Sequence, residues 1–187
     1  MMKILIIIFG ITGVYIFVVF FLSRVFIPHL RKIVVPKKVN GDFMKTVRAL
    51  SAQDPDALRF LQALMDNLKE RYITIRHQSD FMPWILFRRN IDEIWHQKGY
   101  NQSCNVLNFV LKTMIIKSDR FTEKEVQEKL TWVRLSIHQY LEIKMKDGSI
   151  VYADPWGYLS GRTKLGQYAN GINGSKGQRV WPVERVS

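Results

Sequence analysis

Between Val133 and Met145 the residue period is two. Val133, Leu135, Ile137, Leu141, Ile143 and Met145 take odd positions, while Arg134, Ser136, His138, Tyr140, Glu142 and Lys144 take even ones. Successive side chains of a strand point to opposite faces, so the pattern predicts one long half-buried strand, bent near Gln139. Asp147-Gly148 turns the chain, and Ser149 to Asp154 return as a second strand. No other stretch constrains the fold as tightly, because a slip of one residue in the pairing would carry every side chain to the wrong face.

Two hairpins are possible. A two-residue turn at Asp147-Gly148 sets odd positions of one strand opposite even positions of the other, and it points His138 and Asp154 to opposite faces. A three-residue loop, Lys146-Asp147-Gly148 with Gly148 left-handed, pairs odd with odd. Val151 and Ala153 then join Ile143 and Met145 on the apolar face, His138 lies opposite Trp156, and Asp154 lies opposite Tyr140. His138 and Asp154 become diagonal neighbours within hydrogen-bond reach. The apolar pattern favours this second register, although it leaves Ile150 and Tyr152 on the polar face.

The stretch 101–117 is built differently. Val106, Leu107, Phe109, Val110, Leu111, Met114, Ile115 and Ile116 point nearly all round a helix, which predicts a centrally buried one. Cys104 stands at or just inside its N-terminus, beside Asn101 and Ser103 as candidate caps. Asp54 as N-cap and Pro55 at the first helical position predict another helix, running through Leu58, Leu61, Ala63, Leu64 and Leu68 to about Tyr72. A shorter one covers Ile91 to Gln97 and ends at Gly99. The capping-box pattern Thr122-Glu-Lys-Glu125 predicts a helix to about Leu130.

The formal charge of +12, from 28 Lys+Arg against 16 Asp+Glu, suggests an anionic partner until its distribution is read. Residues 1–39 carry +6, residues 155–187 carry +4 and the middle only +2. A near-neutral domain between basic ends argues against a nucleic-acid-binding protein. From Ile4 to Leu22 run 19 residues without a charge. As one helix they would span roughly 28 Å, close to the hydrocarbon core of a bilayer. No A-x-A cleavage pattern follows, so the run reads as an uncleaved single-pass anchor. The five Lys/Arg after it, against Lys3 before it, favour a cytoplasmic domain, with the extracytoplasmic side open. His29 to Lys38 reads as a contact with anionic lipid or as a solvated basic linker.

The single cysteine excludes an internal disulfide. It also stands where a thiol can be a nucleophile: a helix N-terminus and a neighbouring imidazole both favour thiolate. An imidazole in that role needs its second nitrogen held by a carboxylate. Cys104, His138 and Asp154 supply these parts as nucleophile, general base and acid, and orienting group. The backbone N–H of Cys104 and the side chain of Gln97 or Gln102 are candidates for an oxyanion hole. Taken singly, each residue also has a plain structural role open to it. The four histidines lie in unrelated contexts with no H-x-x-x-H pair, so no metal and no cofactor is expected. The Gly171–Gly177 stretch lacks the spacing of a phosphate loop and reads as a mobile loop.

The run from His138 through Asp147-Gly148 to Asp154-Pro-Trp, with Cys104 heading a central helix upstream, resembles the transglutaminase-like core of the papain-like cysteine enzymes. The flank Asn-Gln-Ser-Cys104-Asn-Val departs from the Gly-x-Cys common in that family. The resemblance covers about residues 80–160. It implies an α+β fold with the catalytic helix packed on an antiparallel sheet, and acyl transfer through a thioester to water (peptidase or amidase) or to an amine (cross-linking), with a protein or peptide substrate. The organisation expected is therefore an anchor and basic linker over 1–39, a transglutaminase-like domain over 40–160 and a basic extension over 161–187, with the bilayer as a partner. The competing reading is a non-catalytic, membrane-tethered binding module of degenerate transglutaminase-like fold. In that reading the aromatic and basic stretch Phe81–Arg89 serves as a surface; otherwise it packs as core.

Overall fold

Helix α7, Cys104–Lys117, has every side chain from Asn105 to Ile115 buried. A helix apolar on most of its circumference can only be accommodated by neighbours on several sides. In the computed structural model, which describes residues 2–73, 88–99, 102–134, 136–172 and 174–176, those neighbours are strand β2 (Ser136–Lys144) and helices α3 (Pro28–Arg31), α4 (Gly41–Gln53), α5 (Ala57–Arg71), α6 (Ile91–His96) and α8 (Pro155–Leu159). The core interleaves Val106, Leu107, Val110 and Met114 of α7 with Phe60, Leu64 and Leu68 of α5 and with Leu141 and Ile143 of β2. This is the α+β arrangement of a central helix on an antiparallel sheet.

The sheet has the order β1-β2-β3, with β1 at Val126–Val133 and β3 at Ile150–Ala153. Leu141 pairs with Ala153 and Ile143 with Val151, so odd faces odd. The loop is the three-residue one: Gly148 has φ +85° and donates its N–H to Met145 O, and Met145 N donates to Ser149 O. Positive φ is where glycine has no steric penalty. Tyr152, out of place on a polar face, finds company there. Its ring lies edge-on to those of Tyr140 and Tyr168, which stack on each other at 4.0 Å.

The long strand is in fact two. Val133 ends β1 and Ser136 opens β2, joined through Arg134 at φ +57°; Leu135 lies outside the described residues. The middle of β2, His138 to Leu141, is buried on both faces. A short antiparallel pair, β4 (Tyr168–Asn170) and β5 (Gly174–Lys176), is the reason. Its approach segment is tied to the sheet through Gly166 N to Tyr152 O, and its end through Arg134 N to Gly171 O and Gly171 N to Trp132 O. It therefore covers the face that alternation alone assigned to solvent.

Two helix starts also differ. The N-cap of α5 is Asp56, whose Oδ1 accepts from Leu58 N and Arg59 N, while Asp54 ends α4 and accepts from Asp56 N. Thr122 and Glu125 do form a closed turn, with Thr122 N and Oγ1 both donating to Glu125 Oε2. The residues beyond it become β1, because pairing along the whole of β2 satisfies their backbone where a short surface helix would leave Val126 and Val133 without a core.

The N-terminal run is the main correction. It is not one long α-helix: α1 covers Met2–Ile16, Phe17–Leu22 form a π-helical stretch, and α2 covers Ser23–Phe26. The wider π turn interrupts the α-helical ladder, leaving an apolar α-helix of 15 residues. At 1.5 Å per residue that is about 22 Å, short of the roughly 30 Å of a bilayer core. Among the described residues no helix is long and apolar enough to cross a membrane. The single-pass anchor, and with it the single-pass membrane localisation and the orientation drawn for it, are thereby overturned. Part of the basic stretch after it is integrated in the domain. His29, Leu30 and Ile33 are buried, the His29 ring stacks on Phe109 at 4.5 Å, and Ile33 N donates to Glu128 Oε1.

Candidate active site

Cys104 is the first residue of α7 and is half-buried. Ser103 is the N-cap by backbone conformation (φ −76°, ψ 163°) but makes no side-chain cap bond; its hydroxyl donates to Asn105 Oδ1 instead. The N–H groups of a first helical turn have no partner within the helix. They surround the thiol with the positive end of the helix dipole. Asn101, the other cap candidate, lies outside the described residues.

His138 comes from the centre of β2 and is 3% exposed. Its Nε2 meets Asp154 Oδ2 at 2.8 Å, and the Cys104 side chain stands near enough to favour the protonated ring. Burial by itself pulls an imidazole's pKa down. Here the Asp154 charge and hydrogen bond, together with Cys104, outweigh it and raise His138 from 6.5 to about 10. The imidazolium is thus the favoured form, held between a carboxylate and a sulfur. The Trp156 ring lies 5.2 Å from the imidazole, tilted by 57°, and shields it from one side.

Asp154 ends the return strand and is fully buried. Oδ1 accepts from Gly157 N at 2.9 Å; Oδ2 accepts from Ala169 N at 2.8 Å besides the imidazole. The first bond makes Asp154 the N-cap of α8, so the turn-forming role and the orienting role fall to one carboxylate. Gly157 is obligatory at this point. A Cβ there would stand 2.6 Å from Asp154 Oδ2 and 2.6 Å from Thr163 Oγ1. These two supports, Gly157 and Ala169, had no visible signal in the chain order, because they reach the site through α8 and β4.

The two glutamines differ in their partners. Gln97 caps the end of α6, and its Oε1 accepts from Arg88 Nη1. Gln102 is fully buried two residues before Cys104, with its backbone N–H on Ile73 O and neither side-chain amide atom partnered. A buried amide without partners is costly and needs a reason. Beneath the site, α7 carries polar residues on the side facing the sheet. Asn108 Nδ2 donates to Gln139 O at 2.6 Å, and Lys112 Nζ meets Glu128 Oε1 at 2.7 Å with both side chains largely buried. The apolar count of the helix hid this row.

Among the described residues no group of three or more His, Cys, Asp and Glu side chains is placed to hold a metal ion. The Phe81–Phe87 part of the aromatic stretch and residues 177–187 of the basic tail lie outside the described residues. No family model, no curated protein and no solved structure matches the chain.

Proposed function

We propose that the protein is a cysteine-dependent acyl-transfer enzyme, acting on an amide or ester of a peptide or protein. The observation that carries this reading is the buried imidazole of His138, bonded through Nε2 to Asp154 and favoured in its protonated form by both Asp154 and the nearby Cys104. Structural histidines rarely need both partners, and a thiol at a helix start with such a neighbour is a poised nucleophile.

The proton of the Cys104–His138 pair rests on His138, where Asp154 stabilises the imidazolium. The sulfur attacks the carbonyl carbon. The carbonyl oxygen becomes an oxyanion, for which the Cys104 backbone N–H and the unpartnered Gln102 amide are the donors at hand. The C–N or C–O bond then breaks as His138 returns its proton to the leaving group, and a thioester remains. Water or an amine attacks it and gives a proton to His138; the C–S bond then breaks, a carboxylic acid or a new amide is released, and the starting pair with its imidazolium is restored.

Iodoacetamide alkylation of Cys104 at about pH 6.5 tests the pair. His138→Ala is expected to slow it at least tenfold, roughly the loss of the thiolate fraction. An unchanged rate would sink the reading. With p-nitrophenyl acetate, an acetyl group carried on Cys104 and absent from Cys104→Ala is the matching mass-spectrometric result.

A further inference from the structure

Strand β2 extends past the end of its partner β3. Leu141 pairs with Ala153, where β3 ends, and the same register carried on by two residues sets Gln139 opposite Pro155. Even residues of β2 bond to the β1 side, as Lys144 N does to Glu125 O. The main-chain groups of odd residues, Gln139 among them, therefore turn to the β3 side. There Pro155 has no N–H to give, and it already belongs to α8. The Gln139 carbonyl is thereby left without a strand partner in the buried middle of β2. Asn108 takes the partner's place: its Nδ2 donates to Gln139 O at 2.6 Å.

Asn108 is fully buried, and its Oδ1 accepts no hydrogen bond. An unmet buried amide oxygen is costly, so packing alone would favour an apolar side chain here. The bond that its Nδ2 makes joins the neighbours of the reactive pair. Asn108 lies one turn below Cys104 on the same face of α7, and Gln139 follows His138 in β2. We infer that Asn108 is a positioning residue for the reaction: its bond to the Gln139 carbonyl locks β2 against α7 and so sets His138 against Cys104. The inference rests on the acyl-transfer reading and adds to it a residue that acts only through His138.

The readout is the rate of Cys104 alkylation by iodoacetamide at pH 6.5 divided by the rate at pH 9.5, where a free thiol ionises without help. In full-length Asn108→Leu, which fills the space and removes the donor, this ratio should fall about tenfold, with the rate at pH 9.5 within about twofold of wild type. Asn108→Ser keeps a donor on a shorter side chain and should show a smaller fall, about threefold. It is read in place of the leucine variant if urea unfolding shows that one to be unfolded. Thr113→Val removes a buried hydroxyl bonded to Phe109 O on the same helix. It should lower stability and leave the ratio unchanged. Asn108→Leu/His138→Ala should show the ratio of His138→Ala alone, because the two residues act as one unit. A wild-type ratio in folded Asn108 variants, an equal fall in Thr113→Val, or losses that add in the double variant overturns the positioning role. Failure of both Asn108 variants to fold does the same, since the bond is then structural only. A ratio unchanged by His138→Ala, whatever the Asn108 variants do, overturns instead the acyl-transfer reading.

Discussion

His138 and Asp154 meet at 2.8 Å because Leu141 pairs with Ala153. The three-residue loop ending at Gly148 sets that register, and a loop shorter by one residue would turn the two side chains to opposite faces.

Removing the carboxylate should therefore cost both stability and reactivity. Asp154→Ala leaves His138 without its buried counter-charge and Gly157 N and Ala169 N without an acceptor. Urea unfolding should show a loss of about 3–5 kcal/mol, the cost of breaking a buried pair. Alkylation of Cys104 at neutral pH should slow as well.

The pH dependence of stability has a definite sign. His138 has a raised pKa in the folded protein, so its contribution is fully present below 6.5 and is lost as pH rises through about 10. The unfolding free energy should fall steadily across this window in wild type. His138→Gln should flatten that slope while lowering stability below it; equal slopes in the two proteins would contradict the assignment.

Gly157→Ala pushes a methyl group into Asp154 Oδ2 and Thr163 Oγ1. The carboxylate has to move, since both contacts are far inside van der Waals distance. A loss of about 1–3 kcal/mol is expected, with slower alkylation of Cys104. Thr163→Ala in the same chain should recover part of both, because it removes one of the two collisions.

The buried pair Lys112–Glu128 makes a separate test of the core under the site. Lys112→Met alone strands Glu128 and should cost about 3–5 kcal/mol in urea unfolding. Lys112→Met/Glu128→Gln should regain much of it, since a neutral amide still accepts from Ile33 N.

Much of the candidate site could be read along the chain. The odd-even pattern around Ile143 and the Asp-Gly turn determined the register of β2 and β3, and with it the meeting of His138 and Asp154. The near-continuous apolar surface of 101–117 determined that Cys104 would head a buried helix. Other signals were local and were overruled. The Thr122–Glu125 box closed a turn, yet its continuation went to the sheet. The uncharged run from Ile4 to Leu22 split at Phe17 into α- and π-helical parts. The 41–53 helix, with its cap at Asn40, lies within the span assigned to the domain but carries no helix expectation from the sequence.

What local pattern could determine was the direction in which side chains point along one element, because periods of two and of 3.6 are properties of the backbone itself. What only the tertiary structure decided was which distant segment covers each face. Ala169 on Asp154, Trp156 on His138, Gln102 buried without a side-chain partner, and the Lys112–Glu128 pair all depend on packing between elements separated in the chain. Burial of a polar group is decided by such neighbours and not by its own sequence context, so the supports of the site became legible only in the folded protein.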